Sequence, residues 1–289
     1  MHFGSIITAM VTPFDQDGKL SREKTEVLVE HLIRSGSDSI VVNGTTGEAP
    51  TLSDEEKITL IQWVVEIVNH RIPVIAGTGT NDTRKSVELT KKATALNVDG
   101  IMAVTPYYNK PSQRGMIEHF KRIAAATHLP VILYNIPGRS VVNLTASSVI
   151  ELSRIENIAA VKEASGNLVQ IASIIENTGD SFAVYSGDDS LTLPILAVGG
   201  TGVVSVASHI IGAEMKEMIN AFFNGEVKKA AKYHRKLLPI MEALFIAPNP
   251  TCVKYALKWR GIDAGDVRLP LVPLAKEEKE KLTSILKSL

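Results

Sequence analysis

The chain has 289 residues, 45% hydrophobic and 21% charged, which excludes a disordered polypeptide and allows one large domain or two small ones. Lys plus Arg and Asp plus Glu both number 31, so nothing supports a broad basic surface for nucleic acid, and anions must be met by local groups. Cys252 is the single cysteine and cannot close an intramolecular disulfide, no apolar run approaches the roughly 20 residues of a membrane helix, and residues 1–5 lack a basic secretory n-region; a cytoplasmic protein with no membrane partner is expected.

Short apolar runs occupy residues 6–10, 39–43, 73–78, 100–106, 130–137, 158–164, 182–187 and 202–207. They are rich in Val and Ile without polar alternation, the pattern of parallel strands buried on both faces. Helical stretches lie between them, among them 53–69, 83–96 and 115–128; the first opens on Ser53-Asp54-Glu55-Glu56, with an N-cap and the Glu of a capping box. Eight such alternations predict an α/β fold, a (β/α)8 TIM barrel over residues 1–224 that carries the chemistry. After it, 227–245, 251–259 and 276–286 read as helices with no strand between them, a C-terminal helical extension over 225–289. Asn249-Pro250-Thr251 is expected to open one of these helices. A doubly wound fold would need a phosphate-binding glycine turn after the first strand, where Val11-Thr12-Pro13-Phe14 stands instead. Gly77-Thr78-Gly79 and Gly199-Gly200-Thr201-Gly202 fit neither nucleotide-binding pattern.

The active site of such a barrel gathers at the C-terminal ends of its strands. Lys162 follows four apolar residues in Ile158-Ala159-Ala160-Val161, so its ammonium is expected to be buried, with a lowered pKa and a nucleophilic amine suited to Schiff-base chemistry. The alternative is a structural lysine paired with Glu163 or Asp188. Tyr134, after Val131-Ile132-Leu133 on the preceding strand, could pass a proton to and from a carbinolamine, or merely cap the barrel. Gly44-Thr45-Thr46-Gly47-Glu48 offers hydroxyls and amides to a small carboxylate, or is an ordinary strand-to-helix loop. Arg139 is a candidate fork for a second carboxylate, or a surface arginine. The seven histidines have no metal spacing, Asp188-Asp189 stands without other carboxylates, and Ser165-Gly166 is no nucleophile elbow. No metal or cofactor is assigned.

Read in order, Gly44-Thr45-Thr46-Gly47-Glu48, Thr105-Pro106-Tyr107-Tyr108-Asn109-Lys110-Pro111, Leu133-Tyr134-Asn135-Ile136-Pro137-Gly138-Arg139, Val161-Lys162-Glu163-Ala164-Ser165-Gly166-Asn167 and Ser186-Gly187-Asp188-Asp189 resemble the pyruvate-dependent class I aldolase and lyase family of (β/α)8 barrels that includes N-acetylneuraminate lyase. The resemblance spans the chain from Gly4-Ser5 to Arg268-Leu269-Pro270. It is greatest to the branch that condenses pyruvate with L-aspartate 4-semialdehyde, the first committed step of diaminopimelate and L-lysine biosynthesis.

That resemblance implies roles residue by residue. Lys162 would form the Schiff base with pyruvate, and Tyr134 would donate and accept the proton. Thr45 and Tyr108 would complete a hydroxyl relay, with Tyr108 supplied by the adjacent subunit of a tight dimer. Thr46 would contact the pyruvate carboxylate, Val204 would line the pyruvate pocket through its backbone, and Arg139 would receive the carboxylate of the aldehyde. A homotetramer built as a dimer of dimers is implied. Lysine-inhibited members carry two histidines and a glutamate where Asp54, Lys57 and Lys85 stand here, although Asn81 and Tyr107 of that cleft are retained. Weak or absent feedback by L-lysine is therefore expected. A pyruvate-releasing lyase acting on a 2-keto-3-deoxy sugar acid or sialic acid remains the second reading, and a non-catalytic ligand-binding barrel the third.

Overall fold

The computed structural model describes residues 3–289; Met1 and His2, which belong to the segment read as lacking a secretory signal, lie outside the described residues. Eight strands, β1 (Ile6–Ala9), β2 (Ser39–Val42), β3 (Val74–Gly77), β4 (Gly100–Val104), β5 (Val131–Asn135), β6 (Ile158–Glu163), β7 (Ala183–Ser186) and β8 (Gly202–Ser205), pair in sequence order. All pairings are parallel, and β8 returns to β1 to close the barrel. The fold is the (β/α)8 barrel. No helix among the described residues is long and apolar enough to cross a membrane.

The helices that cover the barrel are α1 (Arg22–Arg34), α2 (Asp54–Val68), α3 (Thr83–Thr94), α4 (Gln113–Ala124), α5 (Pro137–Ser140), α6 (Ala146–Leu152), α7 (Leu168–Asn177), α8 (Thr192–Ala197) and α9 (Ser208–Phe223). The capping box of α2 forms as expected, with Ser53 and Glu56 satisfying each other's backbone amides. Helix α4 starts two residues before the sequence-predicted position, because the Ser112 side chain accepts from Gly115 N and caps it there. Several strands stop short of the expected runs. Asn43 turns to φ 59 directly after β2, while Pro106 and Pro137 have no N–H to give to a ladder.

Two apolar layers follow from the strand period of two. Side chains pointing inward fill the barrel, among them Ile7, Val41, Ile75, Met102, Ile132, Ala160 and Val204. Their neighbours, such as Ile40, Val74, Ile101, Leu133 and Val161, pack outward against the helices. Tyr134 follows Ile132 by two and Lys162 follows Ala160 by two, so both belong to the inner layer, near its C-terminal end.

After α9 come α10 (Val227–Ala243), α11 (Thr251–Trp259) and α12 (Lys276–Leu286). Helix α10 packs along α9, and α12 packs on both α10 and α11. Helix α11 and the segments flanking it return to the barrel at the turn after β2. Asn249 Nδ2 donates to Thr46 Oγ1 at 3.0 Å, and Lys254 Nζ lies 2.7 Å from Glu48 Oε1. Arg268 donates through its backbone N to Glu48 Oε2 at 2.9 Å, and its guanidinium forks onto Glu56.

Candidate active site

The register of β5 on β6 sets Tyr134 opposite Lys162. Inside the barrel, Lys162 Nζ stands 4.1 Å from the centroid of the Tyr134 ring. Both side chains are buried, at 5% and 3% exposure. Among the described residues no carboxylate lies within ion-pair distance of Lys162. Glu163 points to the opposite face of β6 and is hydrogen-bonded to Asn135, so the structural pairing considered from the sequence is not formed.

Burial pushes the Lys162 amine down to about 7; the nearby Asp189 carboxylate opposes this and the Arg139 guanidinium adds to it. A large share of this amine is neutral at neutral pH, as a nucleophile requires. Burial pushes the Tyr134 phenol up to about 12, against the opposing effects of Thr45 and Arg139. The phenol therefore keeps its proton and can donate it.

Asp188 and Asp189 turn apart. Asp188 Oδ1 accepts from Ser190 N at 2.9 Å and Ser190 Oγ at 2.7 Å, capping a local turn. Asp189 is buried beside Lys162 and takes bonds from Ser205 Oγ, Val206 N and Ala207 N. Burial raises its pKa against those three donors. Its carboxylate thus fixes the chain leaving β8, immediately after Val204, which is 1% exposed in the inner layer.

A cavity of about 390 Å³ opens beside this pair, and Thr45, Tyr134 and Arg139 line it. Lys162, Thr46 and Val204 do not line it themselves; the Tyr134 ring is the shared wall on the side of Lys162. Thr46 is buried with its hydroxyl held by Asn249. Arg139 makes no ion pair among the described residues. Asp54, Lys57, Asn81, Lys85 and Tyr107 line the same cavity. Lys57 Nζ is 3.5 Å from Asp54 Oδ1. Tyr108 is the one expected site residue placed wholly outside: it is 87% exposed, sits at φ 74, and does not border the cavity.

Gly77 and Gly79 are explained by packing. A Cβ on Gly77 would lie 2.4 Å from the Asn43 carbonyl oxygen, and one on Gly79 would lie 2.3 Å from Val104 N. The backbone at the C-terminal end of β3 and just beyond it thus packs directly against the end of β2 on one side and of β4 on the other.

A buried amine and a protonated phenol beside a cavity with hydroxyls and a free guanidinium can condense a ketone with the amine and hold a carboxylate nearby. Residues 2–289 match the dihydrodipicolinate synthetase family. The chain belongs to that family. It is 62% identical over 289 residues to 4-hydroxy-tetrahydrodipicolinate synthase 2 of Halalkalibacterium halodurans, covering 100% of this chain and 99% of the relative. It is 57% identical over 290 residues to 4-hydroxy-tetrahydrodipicolinate synthase of Bacillus subtilis, covering 100% of each. The crystal structure of dihydrodipicolinate synthase from Bacillus anthracis superposes with a TM-score of 0.99 at 57% identity, covering 100% of this chain and 99% of that one.

Within this member of the dihydrodipicolinate synthetase family, the sequence pointed to Lys162, Tyr134, Thr45, Thr46, Arg139 and Val204, but not to the residues that hold them. Asn249 is 203 positions from Thr46. The sequence marks Asp189 only as half of an acidic pair and Glu163 only as a partner for Lys162. The one signal was their position at strand ends, which does not say where each side chain turns.

Proposed function

We propose that this chain condenses pyruvate with L-aspartate 4-semialdehyde to give 4-hydroxy-tetrahydrodipicolinate, the first committed step of diaminopimelate and L-lysine biosynthesis. The observation that carries the reading is the buried Lys162 amine, held at about 7 and 4.1 Å from the Tyr134 ring. The near-identity of fold with enzymes named for this reaction supports the choice of substrates.

The neutral Lys162 amine attacks C2 of pyruvate. Tyr134 donates a proton to the departing hydroxyl, and water leaves as the C–N double bond forms. Loss of a proton from C3 gives an enamine, with the imine nitrogen as electron sink, so the chemistry needs no metal or organic cofactor. C3 then attacks the aldehyde carbon, whose oxygen takes up a proton. The amino group of the aldehyde substrate attacks C2, displaces Lys162 and closes the ring. One water is released overall, and Lys162 is regenerated.

Thr46 contacts the pyruvate carboxylate and the Val204 backbone lines the pyruvate pocket. Arg139, without an ion-pair partner among the described residues, receives the carboxylate of the aldehyde. Thr45 relays protons to Tyr134, and Tyr108 of the partner subunit completes the relay. The exposure of Tyr108 in the single chain supports that assignment. The assembly is a homotetramer, a dimer of such dimers, in the cytoplasm. The barrel over residues 1–224 carries the chemistry, and the extension over 225–289 braces it.

Borohydride reduction in the presence of pyruvate tests the mechanism. The peptide containing Lys162 is expected to gain the mass of pyruvate less water plus two hydrogens. Its absence from that peptide would overturn the reading, and faster turnover of a 2-keto-3-deoxy sugar acid would transfer it to the lyase alternative.

A further inference from the structure

We propose that Glu163 is a positioning residue that fixes the turn presenting Arg139 to the aldehyde substrate. The inference rests on the reading above, in which Arg139 binds the carboxylate of L-aspartate 4-semialdehyde.

The register that sets Tyr134 opposite Lys162 also sets Asn135 opposite Glu163 on the outer face. Behind the reactive pair there is therefore a second pair. Asn135 Nδ2 donates to Glu163 Oε1 at 3.1 Å and to Oε2 at 3.2 Å. Ser165 N donates to Oε1 at 2.8 Å, and Gln170 Nε2 to Oε2 at 3.0 Å. Glu163 is 1% exposed, and among the described residues no Lys, Arg or His lies within ion-pair distance of it. A carboxylate buried without a cation is held by donors alone, and it dictates which way those donors face.

The consequence is felt in residues 136–144. With Nδ2 committed to Glu163, Asn135 turns Oδ1 to accept from Leu144 N at 2.9 Å. Gln170, donating to Glu163, presents Oε1 to Asn143 Nδ2 at 2.8 Å, and Asn143 Oδ1 takes Asn135 Nδ2 at 2.8 Å. One asparagine, oriented by Glu163, thus ties the start of the turn to its end. Between these ties lie the single helical turn of α5, which carries Arg139, and its C-cap Val141, which sits at φ 64. A β-branched residue holds that conformation only where its surroundings impose it. Arg139 has no ion-pair partner to orient it, so the backbone of the turn sets where its guanidinium stands.

Glu163→Gln tests this without changing the volume at the site. An amide group in place of one carboxylate oxygen faces donors and unseats Asn135 or Gln170. The KM for L-aspartate 4-semialdehyde is expected to rise about tenfold, while the KM for pyruvate and the rate of borohydride trapping at Lys162 stay within about twofold. Adding Asn135→Asp restores a donor facing an acceptor and is expected to recover part of the loss. Gln170→Met, at a half-buried position, removes one donor and is expected to raise the same KM by less. Unchanged KM for the aldehyde in folded Glu163→Gln and Gln170→Met, or equal rises for both substrates, overturns the inference. Failure of the wild-type chain to trap pyruvate at Lys162 overturns the reading beneath it as well, so the two failures are distinguishable.

Discussion

Lys254 Nζ lies 2.7 Å from Glu48 Oε1, with the two side chains 3% and 1% exposed, and this ion pair joins the extension to the turn that carries Thr45 and Thr46. Both charges have left water, so their attraction is largely offset by desolvation, and the loss of one partner strands the other. Lys254→Met is therefore expected to lower the unfolding free energy by about 3–5 kcal/mol. Lys254→Met combined with Glu48→Gln is expected to recover part of that. Urea denaturation of the single and double variants measures both, and equal losses would contradict the account.

The pH dependence of imine formation follows from the Lys162 amine at about 7. The neutral form attacks, so the rate at low pyruvate is expected to fall as pH drops through that value, approaching about tenfold per pH unit further down. Arg139 helps to hold the lysine low, so Arg139→Met is expected to move the acid limb to higher pH. Asp189 opposes it, so Asp189→Asn is expected to move the limb to lower pH. Stopped-flow trapping across pH reads all three, and a limb that ignores both substitutions would refute the assignment to Lys162. Tyr134→Phe is expected to lower kcat about 10²–10⁴-fold with the fold intact, checked by circular dichroism beside the rate.

The strand pattern made Lys162 and Tyr134 legible, because a lysine and a tyrosine ending apolar runs stand out in a barrel whose chemistry collects at strand ends. It could not say that Lys162 faces inward and Glu163 outward. Both faces of β6 are apolar, so a period of two carries no sign of which is the interior. The brace at Thr46 was hidden for another reason. Asn249 and Lys254 meet the turn after β2 only through the path of the extension, and a single sequence contains nothing that pairs them with Thr46 and Glu48.

Acid stability is expected to depend in part on His209. Its Nε2 accepts from Val11 N at 3.2 Å, its Nδ1 is 2.8 Å from Val206 O, and burial pushes its pKa from 6.5 down to about 4. The folded value lies below the unfolded one, so the stability tied to the neutral ring is complete above 6.5 and is lost as pH falls towards 4. That range corresponds to about 3 kcal/mol. Denaturation midpoints between pH 7 and 4 should fall in the wild type and fall less in His209→Gln; parallel curves would reject the role.

The cleft bordered by Asp54, Lys57 and Lys85 makes a prediction about regulation. Among the described residues Asp54 is the one carboxylate lining it, against the ammonium groups of Lys57 and Lys85, so a cationic amino acid meets net repulsion. L-lysine is expected to inhibit weakly or not at all. Initial rates against L-lysine decide it, and half-inhibition at sub-millimolar lysine would sink the prediction.

The brace on the turn after β2 also bears on how the enzyme comes into being. Residues 44–48 leave the ribosome early, whereas Asn249, Lys254 and Arg268, which hold them, emerge near the end of synthesis. Contacts of such long sequence separation form late and slowly. A nascent barrel would therefore reach its shape before its hydroxyl turn is locked. Activity would mature last, after the barrel strands have paired.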